Sequence, residues 1–355
     1  MAGLSAVERD LTGLPDQLRR WWMANNPDDG AVEVSSFRTN PSSGYSSECL
    51  LFDLSAGGVT GGYVLRLAPA GGGLFPEYDL ERQSRTQQLL VSAGVPAPPA
   101  IYEPDPAWIG EPFMVMPLVA GHIPGDYVYP VKGWLHDAGP AQQGAVYGAF
   151  VDGLVGLLTV DPGAHEVTFL RRRRGPGLRA EIAWWADYLD WASDGRPPPL
   201  MVDAFAWAQD TAPADVDRPS ITWGDARFAN AIFDDAGAVA GLLDWEQAAV
   251  GPAELDVGFW LATRRQSCHL VHVTTDPELP GFLDRATTLA RIERGLGRPL
   301  RALAWHETFA MVRMGVCVVG TQSLLRRTGQ HDHALLGAPL LPPWTIAAIA
   351  GAGST

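Results

Sequence analysis

Ile221-Thr-Trp-Gly-Asp-Ala-Arg-Phe-Ala-Asn230, followed one hairpin later by Leu242-Leu-Asp-Trp-Glu246, decides how the rest of this chain is read. The first segment reads as a strand running into a tight loop that carries Asp225 and, five residues on, Asn230. Asp234-Asp-Ala-Gly237 supplies a hairpin turn, and the next apolar strand ends at Asp244. Loop ends of short buried strands hold side chains rigidly, and catalysis needs that rigidity.

Phosphoryl transfer requires three oxygen-bearing groups in such places. One carboxylate orients the attacking hydroxyl and accepts its proton. An amide oxygen and a second carboxylate hold magnesium against the phosphates of a nucleotide. Asp225, Asn230 and Asp244 offer this set. An isolated Asp-x-x-x-x-Asn is common, because both residues cap helices and form turns. Trp-Gly before Asp225, the hairpin, and Leu-Leu-Asp-Trp after it give the pair its specificity.

Working outward, residues 1–29 form a polar segment with a short helical pattern at Leu18, Trp21 and Trp22. Residues 30–118 alternate in the manner of strands at 32–35, 49–54, 63–67, 100–102 and 112–118, with a glycine-rich loop at Ser55–Gly62. A helix is expected from about Glu77 to Ala93, stopped by Gly94 and Pro96. Residues 119–355 are mainly helical, starting with a helix near 141–158. Ile182, Trp185 and Leu189 share one helical face, as do Trp305, Phe309, Val312 and Val316. The expected class is α+β: a small five-stranded antiparallel lobe with one helix, followed by a larger helical lobe. Arg171–Arg174 reads as a solvated basic loop.

At 355 residues the chain exceeds one ordinary hydrophobic core, which suits two lobes. Its net charge of −14 disfavours nucleic acid and anionic membrane surfaces and favours a cationic small molecule. Lys132 is the only lysine, and no Gly-Lys-Ser/Thr occurs, which excludes a Walker A loop. Three scattered cysteines, Cys49, Cys268 and Cys317, suit a reducing compartment, and with no signal peptide visible the expected location is cytoplasmic. No apolar stretch is expected to span a bilayer. Cys268-His-Leu-Val-His272 offers soft ligands, but a structural zinc site needs four, and only His331 and His333 lie nearby in sequence. No Gly-x-Ser-x-Gly elbow signals a serine hydrolase.

Trp223-Gly-Asp225…Asn230 and Leu243-Asp-Trp245 resemble the catalytic-loop motif and metal-binding aspartate of the aminoglycoside phosphotransferase family, within the protein-kinase-like superfamily. More narrowly, the chain resembles an actinobacterial branch related to the kinase-like domain of certain acyl-CoA dehydrogenases. Gly44-Tyr-Ser-Ser-Glu48, Val64-Leu-Arg-Leu-Ala-Pro69, Gly94-Val-Pro-Ala-Pro98, Pro112-Phe-Met-Val-Met116, Gly121-His-Ile-Pro-Gly-Asp126 and Gly251-Pro-Ala-Glu-Leu-Asp256 extend the likeness over roughly residues 30–265.

The resemblance implies a two-lobed kinase fold and transfer of the γ-phosphate of ATP or GTP, with magnesium, to a hydroxyl of a small molecule, aminoglycoside-like or another alcohol. Asp225 would be the base, and Asn230 and Asp244 would hold the metal. Ser43, Gly44 and Ser46 would belong to the loop covering the phosphates. Met116–Val119, including Leu118, would be the hinge that meets the adenine edge. Arg227 and Asp256 would support the catalytic loop.

Three positions depart from the family pattern. Arg66 stands where a strand lysine usually binds phosphate; a guanidinium can do so through its planar fork. Glu81 and Gln83 both fall near the place of the helix glutamate that orients that base. Trp223 replaces a histidine that supports the loop. These departures leave open an alternative, a nucleotide-binding regulatory module with little or no turnover. Residues 184–191 and 260–272 are candidates for acceptor contacts.

Overall fold

The computed structural model describes residues 9–39, 47–214 and 218–352. Its N-terminal lobe comprises α1 (Leu14–Asn25), β1 (Val32–Val34), β2 (Arg38–Thr39), β3 (Glu48–Ala56), β4 (Val59–Leu67), α2 (Leu80–Ser92), β5 (Ile101–Glu103) and β6 (Phe113–Pro117). The strands form one antiparallel sheet. Its order is β1-β3-β4-β6-β5, with the two-residue β2 also paired to β3. The five expected strands are all present, and β2 adds a sixth.

Side chains alternate across a strand, so β4 has two different faces. Leu65 and Leu67 point toward α1 and pack with Leu18, Trp21, Phe52 and Phe113. The 1–29 segment therefore ends in a helix that closes one face of the sheet. Val64 points the other way, toward Leu80 of α2, Met114 and Met116, and Arg66 shares that side. The glycine-rich loop expected over 55–62 is much shorter, because Ser55 pairs with Thr60 and Ala56 with Val59. Only Gly57 and Gly58 turn, at φ 57° and 81°, the left-handed backbone that a two-residue hairpin demands. Helix α2 starts when the Asp79 carboxylate accepts the Arg82 N–H at 2.8 Å, and it stops before Gly94 at φ 80°.

In the C-terminal lobe come α3 (Trp134–Asp137), α4 (Pro140–Leu158), α5 (Leu178–Ala192), α6 (Pro199–Thr211), β7 (Ser220–Thr222), β8 (Ala231–Phe233), β9 (Val239–Leu242), β10 (Ala249–Gly251), α7 (Glu254–Leu270), α8 (Arg285–Leu296), α9 (Leu303–Arg327) and α10 (Pro343–Ala352). The strand-like run before Leu243 resolves into three short strands. β8 pairs with β9 through the expected turn, and β7 pairs with β10, a strand too short to be legible in sequence.

Helix α9 corrects one expectation. Its 25 residues include an 18-residue window of mean hydropathy 1.4, long and apolar enough to span a bilayer by composition. In the fold, 72% of that window is buried, against α5, α6, α7 and α10. Gly258 lets α7 approach closely, since a Cβ there would lie 2.8 Å from His306. Burial pushes the His306 imidazole down to about 4, against the opposing pull of Glu254. The neutral ring thus contributes stability that is complete above its free value of 6.5 and drains away as pH falls through 4. At about 1.4 kcal/mol per unit the loss is a few kcal/mol. Denaturant titrations of His306→Gln should show a shallower fall in stability between pH 6.5 and 4 than the parent; an unchanged slope would exclude His306 as its source.

Candidate active site

The loop that carries Asp225 begins at Trp223, buried completely, whose indole lies 5.4 Å from that of Trp245 in a stacked arrangement. Its Nε1–H donates to the Leu243 carbonyl at 2.7 Å. An indole thus ties the loop to the residue preceding Asp244. Gly224 follows at φ 86°, and a Cβ there would meet the Gln247 carbonyl at 2.5 Å, so only glycine fits. Asp256, at the start of α7, accepts the Trp223 N–H at 2.6 Å on one oxygen and the Gly224 N–H at 2.8 Å on the other. Burial pushes its carboxyl up to about 6, and the two donated N–H groups and nearby Arg313 oppose that rise.

Asp225 and Asn230 are brought together. Asn230 donates Nδ2–H to the Asp225 carbonyl at 2.9 Å and to Asp225 Oδ2 at 2.8 Å, which leaves Asn230 Oδ1 as an acceptor. Arg227 bridges Asp225 at 3.0 Å and Asp126 at 2.7 Å. Burial disfavours that guanidinium's charge, but the two carboxylates hold it protonated above its usual range. Leu243 N–H reaches the Asn230 carbonyl at 2.8 Å and fixes the strand that presents Asp244. Asp244 itself has φ 65°, a left-handed backbone that costs a non-glycine residue about 1 kcal/mol and is tolerated best by Asp and Asn.

From the opposite lobe, Arg66 donates Nη2–H to Asp244 Oδ1 at 2.8 Å and to Glu246 Oε2 at 3.2 Å. Desolvation works against its charge, yet Asp244 and Glu246 hold it protonated well above the usual range. The arginine is therefore a buried cation of the strand, held by two carboxylates of the C-terminal lobe. Neither candidate for the helix carboxylate engages it. Glu81 is exposed and lies 4.0 Å from Arg85, and Gln83 is buried with Oε1 unpartnered.

Met116 and Leu118 lie at the end of β6 and just beyond it. Leu118 N–H is already donated to the Gly62 carbonyl at 2.9 Å, so the sheet commits that hinge donor. Consecutive residues of an extended chain present backbone groups to opposite edges, which turns Pro117 C=O and Val119 N–H away from β4. Ser43, Gly44 and Ser46 fall outside the described residues.

Several supports could not be read from sequence. Arg313 of α9, almost fully buried, donates to the Gly224 carbonyl and reaches Gln247 Oε1 at 3.3 Å. Its only sequence signal is a charge within an apolar helix. Arg172 departs from the solvated-loop expectation, which holds for Arg173 and Arg174. It pairs with buried Glu181 at 2.8 Å, covers the Trp184 ring and donates to the Gln247 carbonyl at 3.0 Å. Cys317 lies close enough to Asp225 that burial, with that carboxylate adding to it, pushes the thiol up to about 12. Of the aromatic residues proposed for acceptor contacts, Trp185 and Trp260 are fully buried in the core. Cys268, His269 and His272 instead line a cavity of about 810 Å³ along α7. His122 clips the chain after the hinge to β8 through paired backbone bonds with Phe233.

Among the described residues, no group of three or more His, Cys, Asp or Glu is placed to hold a metal ion. Magnesium in a nucleotide site needs less: one or two protein oxygens, the phosphates and water. Asn230 Oδ1 and the Asp244 carboxylate, 24% exposed, fit that demand.

A model of the phosphotransferase enzyme family matches residues 39–306. The chain belongs to this family. Among curated proteins, this phosphotransferase-family chain is 33% identical over 233 residues to acyl-CoA dehydrogenase family member 11 of Gallus gallus, covering 65% of the chain and 28% of that protein. It is 28% identical over 324 residues to the Arabidopsis thaliana protein named as acyl-CoA dehydrogenase IBR3, covering 82% and 38%. The chain thus spans well under half the length of these relatives. Among solved structures, a Ralstonia eutropha protein assigned as an aminoglycoside phosphotransferase superposes with TM-score 0.68 at 24% identity, over 90% of this chain and 92% of that one. A Streptomyces rimosus aminoglycoside phosphotransferase in complex with ADP and streptomycin gives TM-score 0.52 at 17% identity, over 87% and 99%. These likenesses establish the protein-kinase-like two-lobed fold.

Removing the carboxylate beneath the catalytic loop leaves two buried N–H groups without a partner, at about 1–3 kcal/mol each. Asp256→Ala should therefore lose about 2–5 kcal/mol of unfolding free energy in denaturant titrations. Parent-like stability would show that the loop does not depend on Asp256.

Proposed function

We propose that the chain is a magnesium-dependent kinase that moves the γ-phosphate of ATP or GTP to a hydroxyl of a small molecule, with Asp225 as the base. The observation that carries this is the convergence of Asp225, Asn230 and Asp244, locked by Trp223, Leu243 and Asp256, under a cation from the other lobe. The acceptor oxygen would attack the γ-phosphorus while the bond to the β,γ-bridging oxygen breaks, and its proton would pass to the Asp225 carboxylate. Arg227, paired with Asp225 and Asp126, would hold that carboxylate in place. When bound, magnesium would offset the negative charge of the phosphates, held by Asn230 Oδ1 and Asp244. Pro117 C=O and Val119 N–H would meet the adenine edge. Three unpaired cysteines support a reducing, cytoplasmic setting.

The acidic chain favours a cationic acceptor such as an aminoglycoside. Because the curated relatives are named acyl-CoA dehydrogenases, hydroxyacyl compounds belong in the same acceptor panel. Purified protein incubated with nucleotide, magnesium and such alcohols should yield a phosphorylated product by mass spectrometry. Nucleotide binding with no product from any acceptor would favour the regulatory module instead.

Two substitutions separate the roles. Asp225→Asn should lower turnover about 10²–10⁴-fold with nucleotide affinity little changed, and full activity would remove the base assignment. Asp244→Ala should abolish the gain in nucleotide affinity that magnesium confers. A titration showing the same magnesium dependence as the parent would remove the metal assignment.

A further inference from the structure

We infer that Glu246 is the positioning residue for the phosphate-binding cation Arg66, replacing the carboxylate that a kinase of this fold takes from its N-lobe helix. The inference rests on the kinase reading for the identity of the ligand and goes beyond it in naming what orients the cation.

Arg66 lies on the α2 side of β4, in the layer formed by Val64, Leu80, Met114 and Met116. On α2, Leu80 packs into that layer, and Gln87 donates to the Pro98 carbonyl at 2.9 Å and approaches Met116 Sδ at 3.5 Å. Gln83 lies between them at helical spacing and is 2% exposed, so it occupies the inward position from which a helix carboxylate would face the strand cation. It is an amide and brings no charge. Its Oε1 has no hydrogen-bond partner, and neither has buried Arg66 Nε. The nearby acid, Glu81, points to solvent.

A buried guanidinium without a carboxylate would be strongly destabilising. The charge is instead met from the C-terminal lobe by Asp244 and by Glu246, whose side chain is 9% exposed. The two carboxylates cannot play the same part once nucleotide arrives. Asp244 is the one assigned to the cation of the nucleotide complex, and a carboxylate shared with magnesium no longer serves Arg66 alone. Glu246 lies two residues further on, outside that assignment, and its bond to Nη2 would hold the guanidinium with its other N–H groups toward the phosphates. Arg66 meets both carboxylates, so magnesium at Asp244 would leave Glu246 as its carboxylate partner.

The test is a double-mutant cycle on the dissociation constant for ATP with magnesium, measured by calorimetry on the full chain. Glu246→Gln should weaken binding tenfold or more. In an Arg66→Gln background the same substitution should change affinity less than twofold, because Glu246 acts through the arginine. Adding Gln83→Glu to Glu246→Gln should recover most of the loss by restoring a carboxylate on the helix. Melting temperatures of the variants report folding separately. Equal effects of Glu246→Gln with and without Arg66, or an affinity within twofold of the parent, would overturn the inference while leaving the kinase reading intact. No nucleotide binding by the parent chain would overturn both.

Discussion

Two N–H groups, from Trp223 and Gly224, meet the two oxygens of Asp256 in a part of the C-terminal lobe closed to water. Such a group is costly to bury as a charge and costly to leave unpaired as a donor, so the three residues stabilise one another only in this arrangement. Everything at the site is referred to it. Helix α7 begins there, the loop turns there, and Gly224 brings its backbone against Gln247, where no side chain would fit. Arg313 adds a second grip on Gly224 from α9, and Arg172 secures Gln247 from the other side. Asp225, Asn230 and Asp244 inherit their positions from these buried groups.

The lobes are joined at the site by charge. Arg66 reaches across to Asp244 and Glu246, and Arg82 of α2 reaches the carbonyls of Phe169 and Ala248. Away from these contacts the lobes share apolar packing: Leu90 and Val95 join the core around Phe150 and Leu154, and Leu74 and Phe75 join that around Tyr188 and Val316. A guanidinium suits the Arg66 position better than an ammonium, because its several N–H groups can serve two carboxylates and a phosphate at once.

Local signals made much of this protein legible. Alternating apolar residues gave the strands, Gly94 gave the end of α2, and the spacing from Trp223 to Asn230 and on to Asp244 singled out three oxygen-bearing side chains, of which Asp225 and Asn230 are in contact. In each case the physical cause acts within a few residues: side-chain alternation, capping, or the turn a glycine allows. Where the cause was shorter still, as in the two-residue turn at Gly57-Gly58 or in β10, the limits were misjudged or missed, because pairing across strands sets them.

What the sequence determined by itself was the class of fold and the candidates for the oxygen donors, since both are written in contiguous patterns. What only the tertiary structure decided was who holds those donors. Asp256 meets the loop from 33 residues away, Arg313 from 89, and Glu246 meets Arg66 from 180. Whether Glu81 or Gln83 faces the strand depends on how α2 lies against the sheet, and whether Arg172 is solvated depends on Glu181 and Trp184 closing over it. Burial and partnership are properties of the packed molecule. They arise from long-range contacts that no local pattern encodes.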